Sequence, residues 1–221
     1  MKTVAAIIVA AGEGSRFGQA KQFVPLRGKT VLDWSLEKFE AHQQVTAIIL
    51  VVKDEAAARK YLDRFQKLKA VVKGGPKRQD SVRAGLARID HEVTDVVLVH
   101  DGVRPLVTHQ LISRIIEAAF QWQAAVPALP IEETVKAVDN EQVISTLDRS
   151  KLVRVQTPQG FFYSVLEEAF RRAEQEGYYA TDEAALVERL GRKVAVVKGD
   201  WRNIKITTRQ DLKIAEALID V

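Results

Sequence analysis

Apolar residues in this chain fall into short unbroken runs, separated by stretches with a different rhythm. Residues 3–10 and 45–52 are apolar with no polar alternation. A run of that length without a polar face suits a strand covered on both sides, as in a parallel sheet. Residues 70–72, 95–100 and 124–128 repeat the pattern on a shorter scale. Between these runs the spacing is helical. Val31, Leu32, Leu36 and Phe39 follow Thr30 as a cap, residues 55–65 have helix composition, a helix runs from Gln79 or Asp80 to Ile89, and a long one follows Thr108 to Trp122. Strand and helix in alternation predict an α/β fold: a Rossmann-like three-layer sandwich with a mostly parallel central sheet. In such sheets ligands sit beyond the carboxyl ends of the strands.

The pattern changes between Pro130 and Gln156. Residues 133–138 and 143–147 are strand-like and are joined by Asp139-Asn140-Glu141-Gln142. This reads as a hairpin with little apolar content of its own, and a lone hairpin is marginal in water. The expectation is a β-arm that packs on a second copy of the chain, giving a homodimer; the other reading is a flap folded on its own domain. Helical spacing then returns over 163–176 and, after Thr181 as a cap, over 182–190. Short strands are expected at 193–197 and 204–206, and a last helix follows Thr208 to about Leu218. No repeat, low-complexity segment or linker interrupts the chain. It reads as one domain over 1–221, with 130–156 inserted as the arm.

The first apolar run opens directly into Ala11-Gly12-Glu13-Gly14-Ser15-Arg16-Phe17-Gly18, and Lys21 follows. Glycines let backbone N–H groups close on phosphate oxygens, and Arg16 and Lys21 add two full positive charges. The loop lacks the dinucleotide fingerprint, because Phe17 stands at the third glycine position. It is also not a Walker A loop: Gly28-Lys29-Thr30 supplies the tail of that motif, but Phe23 stands where its first glycine belongs. What remains is a triphosphate cradle built from Ala10, Ala11, Gly12, Gly14, Arg16 and Lys21.

Composition narrows the setting. Hydrophobic residues make up 47% of the 221, enough for a sizeable core. There is no cysteine, so thiolate metal sites and nucleophiles are excluded. Residues 3–10 have the apolar character of a signal peptide, but Gly-Glu-Gly-Ser-Arg stands where a cleavage site should be. No run approaches the ~20 residues that span a bilayer, so a cytoplasmic protein without membrane partners is expected. The net charge of +4 is spread along the chain and aromatics are only 7%, which argues against nucleic acid as a partner.

The loop resembles the signature of sugar-phosphate nucleotidyltransferases. More narrowly, the chain resembles the 2-C-methyl-D-erythritol 4-phosphate cytidylyltransferase family of non-mevalonate isoprenoid synthesis. Five further segments recur in that family's order: Gly74-Gly75-x-x-Arg78-x-x-Ser81-Val82, Val99-His100-Asp101-Gly102-Val103-Arg104-Pro105, Thr157-Pro158-Gln159, Thr181-Asp182-Glu183 and Asn203-Ile204-Lys205-Ile206-Thr207. The resemblance covers nearly the whole chain and implies cytidylyl transfer from CTP to a polyol phosphate. It implies that Gly75, Ser81 and the backbone of Ala10–Gly12 read the base, with Arg78 in the same nucleotide segment and Gly102 near the ribose. Asp101 would hold Mg²⁺ or another divalent cation. Lys205, and Arg149 from a partner's arm, would orient the second substrate, with Arg104, Thr134, Thr157 and Thr181 adding contacts. His100 reads as a packed strand-end residue, and no second carboxylate ligand is assigned.

Such a reaction needs no general base, because the attacking phosphate is already an anion. Positioning and positive charge carry it. A ribitol-5-phosphate cytidylyltransferase would show similar motifs. A nucleotide-binding regulator that had lost catalysis would be expected to lack at least one of Arg16, Lys21, Asp101, Arg149 and Lys205, and all five are present.

Overall fold

The computed structural model describes residues 2–14 and 17–219. In chain order the elements are β1 (Val4–Ala10), β2 (Pro25–Leu26), β3 (Lys29–Thr30), α1 (Val31–Glu40), β4 (Val45–Val52), α2 (Glu55–Ala58), β5 (Leu68–Lys73), α3 (Arg78–Leu86), β6 (Val96–Asp101) and α4 (His109–Trp122). The second half adds β7 (Ala124–Pro130), β8 (Val135–Asp139), β9 (Gln142–Leu147), β10 (Val153–Val155), β11 (Gln159–Phe162), α5 (Tyr163–Glu176), α6 (Glu183–Arg189), β12 (Ala195–Lys198) and α7 (Arg209–Ile219).

Eight strands form the main sheet. Its path runs β10-β7-β11-β6-β1-β4-β5, with β12 also paired to β7. The ladders β1–β4, β1–β6, β4–β5 and β7–β12 are parallel. The expected burial on both faces is borne out by strict alternation. Ala6, Ile8 and Ala10 of β1 and Ile48, Leu50 and Val52 of β4 pack on the layer holding α1 and α4. Ala5, Ile7, Ile49 and Val51 pack on the opposite layer with α3, α5 and α6. A small third cluster lies at the carboxyl end of the sheet and joins Phe17, Leu26, Val31, Val103, Ile206 and Ala215.

Three expectations are corrected, and one strand is added. Residues 55–65 are not one helix: α2 stops at Ala58 and a 3-10 turn covers Arg59–Tyr61. The tighter turn lets Tyr61 and Phe65, with ring centroids 6.2 Å apart, both enter the core. The cap of α6 is Asp182, which accepts from the Ala185 N–H, and not Thr181. Residues 204–206 form no strand and are tied to Val103 by the Ile206 N–H at 2.9 Å. Lastly, β11 was not expected. It enters antiparallel between β6 and β7, continuing the line of β10 along β7 after the cis Thr157–Pro158 peptide. Gly160 makes this possible: a Cβ there would lie 2.6 Å from Ile115 Cγ2 of α4.

The hairpin at 130–156 forms as expected. Among the described residues β8 and β9 pair only with each other, and Asn140 and Glu141 turn the corner with φ of 46° and 65°. Its apolar side chains are open: Val138, Val143 and Ile144 are 64%, 61% and 66% exposed.

Candidate active site

β1 runs out at Ala10 and the chain enters the glycine loop. Gly14 has φ of 70°, and a Cβ there would lie 2.0 Å from the Gln19 carbonyl oxygen, so only glycine fits. The Phe17 and Gly18 N–H groups donate to the Gly14 carbonyl at 2.8 and 2.9 Å. Phe17 is buried in the third cluster and pins the loop down. Gln22, in the 3-10 turn Lys21–Phe23, is also buried; its Nε2 donates to the carbonyls of Ala10 at 2.8 Å and Gly12 at 3.0 Å. Arg16 lies outside the described residues.

The segment after β5 meets this loop with no room to spare. A Cβ on Gly74 would lie 2.5 Å from Ala11 Cβ and 2.7 Å from Ser81 Oγ; one on Gly75 would lie 2.4 Å from Asp80 Cβ. The Lys77 N–H donates to Asp80 Oδ2 at 3.1 Å and fixes the start of α3. Ser81 Oγ, one turn on, is 3.2 Å from the Lys77 carbonyl.

Asp101 ends β6 and is the electrostatic centre. Lys205 Nζ lies 2.8 Å from its Oδ2, Arg78 Nε 3.1 Å from its Oδ1, and Arg104 Nε 3.7 Å from its Oδ2. Burial pushes this carboxyl up, but Arg78, Lys205 and Arg104 together outweigh burial and hold it well below the usual carboxylate range. Arg78 also makes a two-pronged contact with buried Glu183, from Nη1 to the two carboxylate oxygens at 2.7 and 2.8 Å. α3, β6 and α6 are thereby linked through one guanidinium.

Behind Asp101 lies a polar relay. His100 Nε2 is 3.2 Å from the Arg104 carbonyl, which can only accept, so Nε2 carries the proton. His100 Nδ1 is then an acceptor for the Thr157 hydroxyl at 3.1 Å, and that hydroxyl accepts the Asp101 N–H at 3.1 Å. Full burial holds the imidazole down to about 3, so it stays neutral, and it packs against Phe39. Asn203 Nδ2 donates to the Thr157 carbonyl at 2.7 Å, and Arg104 Nη1 to the Asn203 carbonyl at 2.8 Å. The chain leading to Lys205 is in this way bonded to the end of β6.

A cleft of about 230 Å³ opens over these groups. Ala10, Ala11, Gly12, Lys21, Gly75, Arg78, Ser81, Asp101 and Lys205 all line it. The glycine loop, the 74–81 segment and the end of β6 therefore meet beyond the carboxyl ends of their strands. Gly14, Gly102 and Arg104 sit beside or beneath the cleft without lining it, and Thr157 is buried behind it with its hydroxyl engaged. Thr181 is exposed next to the α6 cap. Thr134 and Arg149 are exposed on the arm, where the Arg149 guanidinium donates to the Glu132 carbonyl. Gln22 and Glu183 were not expected at the site. Gln22 carries no periodic signal in a short irregular segment, and Glu183 reads as an ordinary first-turn helix acid.

Among the described residues no group of three His, Asp or Glu side chains could hold a metal. Asp101 is a single ionised carboxylate lining the cleft. That donor chemistry fits a hard cation whose remaining ligands are phosphate oxygens and water.

Comparison with known proteins agrees with the geometry. The family profile IspD, 2-C-methyl-D-erythritol 4-phosphate cytidylyltransferase, matches residues 4–221. The chain is 43% identical over 220 residues to the 2-C-methyl-D-erythritol 4-phosphate cytidylyltransferase of Geobacillus kaustophilus, covering 97% of this chain and 96% of that one. It is 45% identical to that of Bacillus velezensis, covering 96% and 94%. The crystal structure of the Thermus thermophilus enzyme superposes with a TM-score of 0.83 at 38% identity over the whole of both chains. The 4-diphosphocytidyl-2C-methyl-D-erythritol synthase of Anaerococcus prevotii gives 0.88 at 31% identity, covering 100% of this chain and 97% of that one.

Proposed function

The chain belongs to the 2-C-methyl-D-erythritol 4-phosphate cytidylyltransferase family, and from that premise we propose how its own residues carry out the transfer. The reaction moves the cytidylyl group of CTP to 2-C-methyl-D-erythritol 4-phosphate, releasing pyrophosphate, in non-mevalonate isoprenoid precursor synthesis. A phosphate oxygen of the second substrate bonds to the α-phosphorus, and the bond from that phosphorus to the β-phosphate bridge breaks. No proton has to be removed from the nucleophile.

The observation that carries the assignment is the meeting of Lys21, Asp101 and Lys205 in one cleft with the glycine loop and the Gly75–Ser81 segment. Ala10, Ala11, Gly12 and Gly14 hold the triphosphate, with Arg16 and Lys21 stabilising charge at the α-phosphate and on the leaving pyrophosphate. Gly75, Ser81 and Gly102 border the nucleoside, and Arg78 fixes their distance from Asp101. Asp101 would hold Mg²⁺ or another divalent cation, which would offset the phosphate charge. Lys205 exchanges its pairing with Asp101 for the phosphate of the second substrate. Arg104, Thr157 and Thr181 shape that side of the cleft. Residues 1–221 act as a single domain, and the 130–156 arm carries Thr134 and Arg149 to the partner's cleft in a homodimer. Among the described residues no helix is long and apolar enough to cross a membrane; a CTP-dependent reaction suits the cytoplasm.

The test is pyrophosphate release with CTP, Mg²⁺ and a panel of polyol phosphates. Turnover with methylerythritol 4-phosphate and not ribitol 5-phosphate is expected. The reverse preference, or no release by folded protein, would remove the assignment. Lys21→Ala is expected to lower kcat by at least ~10²-fold, as loss of a charge-stabilising donor does.

A further inference from the structure

A backbone cradle for phosphate has a built-in difficulty. Every peptide unit that offers an N–H also carries a carbonyl oxygen, and a carbonyl turned toward a triphosphate repels it. The loop must therefore present its N–H groups and keep its carbonyls turned away. In this loop the carbonyls of Ala10, at the strand end, and of Gly12, two residues on, are both taken by one side chain, that of Gln22. The carboxamide has two N–H protons, one for each acceptor. In a trans peptide the next N–H points opposite to the carbonyl; holding these two carbonyls thus aims the N–H groups of Ala11 and Glu13 away from Gln22. Ala10, Ala11, Gly12, Lys21 and Gln22 all line the cleft, and Gln22 is only 2% exposed. A glutamine amide spent on two backbone carbonyls, in a three-residue turn that also carries Lys21, couples the lysine's position to the loop's orientation.

We propose that Gln22 is a positioning residue for the triphosphate: it ties back the carbonyls of Ala10 and Gly12 so that the glycine loop presents N–H groups to the phosphates. The inference rests on the nucleotide reading of this cleft. In this role Gln22 acts through the loop backbone. Gln22→Met keeps the side chain's length and removes both donors. Gln22→Glu keeps its shape, removes the donors and sets a carboxylate against two carbonyl oxygens.

The experiment is calorimetric binding of CTP, and separately of inorganic triphosphate, to the parent and both variants. KM for each substrate and the melting temperature are measured alongside. Gln22→Met is expected to weaken both ligands by at least ~10-fold, with the lost N–H contacts of the cradle. Gln22→Glu is expected to weaken them further, and KM for the polyol phosphate should stay within about twofold, because that phosphate is held by other residues. A merely structural role would lower the active fraction and the melting temperature together, leaving the affinity of the folded fraction unchanged; that result overturns the proposal. Affinity for triphosphate within twofold of the parent in folded Gln22→Met also overturns it. A parent that binds triphosphate but not CTP would remove the cytidylyl reading. The loop assignment would then be supported if the variants lost triphosphate affinity, and overturned if they kept it.

Discussion

The end of the sheet and the arm are built on opposite plans. At the sheet end charges are paired within the fold: Asp101 is met by three cations, Arg78 by two carboxylates, and Asn203 Nδ2 donates to the Thr157 carbonyl, while Asn203 Oδ1 and Arg104 Nε are buried without a hydrogen-bond partner among the described residues. On the arm, Arg149 is exposed and donates to the nearby Glu132 carbonyl, while Val138, Val143 and Ile144 face outward. The first region is organised by its own fold. The second leaves β-branched residues exposed on a two-stranded ribbon that is marginal by itself, and in the proposed homodimer a second copy completes it. The difference separates two ways to lose activity: damage at the sheet end should cost stability as well as turnover, and damage on the arm should cost turnover alone.

The largest effect to expect is at Asp101. Asp101→Asn leaves Arg78, Arg104 and Lys205 facing one another without their shared carboxylate. Removing one partner from a buried ion pair costs about 3 kcal/mol or more, and urea unfolding should report a loss of that order together with loss of turnover. Arg149→Ala should abolish comparable activity and leave the unfolding midpoint within error. A destabilised Arg149→Ala, or a fully stable Asp101→Asn, would erase the contrast.

Next in size is complementation. If Lys21 of one subunit works with Arg149 of its partner, a mixture of Lys21→Ala and Arg149→Ala proteins regains activity. Random exchange makes half the dimers mixed, and each mixed dimer has one intact site in two, so about a quarter of parental activity should return. No recovery after demonstrated exchange would mean that the arm serves its own cleft. A smaller effect is expected from Val143→Asp with Ile144→Asp. Sedimentation should show dissociation, while the melting temperature of the body changes little. Intact dimers in this variant would place the interface elsewhere.

How much of this was legible before the structure differs between the two regions for a physical reason. β1 and β4 announce themselves because burial on both faces demands unbroken apolar runs. The hairpin was legible for the opposite reason, an isolated pair of short strands with a polar turn. β11 left little trace: four residues, Gln159–Phe162, include a glycine required by contact with Ile115, far away in the chain. Lys21 and Asp101 could be singled out because charge after a buried strand is conspicuous. Gln22 and Glu183 act through partners elsewhere in the chain, and nothing local marks the side chain that will be buried; Thr157 was named by the resemblance for the substrate side, but its hydroxyl is buried between His100 and the Asp101 N–H. Phe17 first served only to exclude a dinucleotide loop, yet it is the anchor that joins this loop to Val103 and Ile206 beneath the cleft.

The smallest effect sharpens the comparison through pH. His42 is buried in the body; the Gln44 N–H donates to its Nδ1, so Nε2 carries the proton toward Ser113 Oγ at 3.0 Å. Burial first, and then the nearby charges of His109 and Lys67, hold this imidazole below its ordinary value. Protonation would add a hydrogen at Nδ1, where the Gln44 N–H already points. The unfolded chain therefore binds a proton more readily than the folded one, and stability falls as pH drops below about 6.5. The arm has no histidine between Pro130 and Gln156. Melting of the body should weaken between neutral pH and about pH 5, and His42→Gln should flatten part of that slope. Amide exchange in β8 and β9, corrected for its intrinsic pH dependence, should not follow it. Arm protection that tracked the titration of the body would mean that the arm is held by its own domain, and the division between a self-sufficient sheet end and a surface completed by a partner would fail.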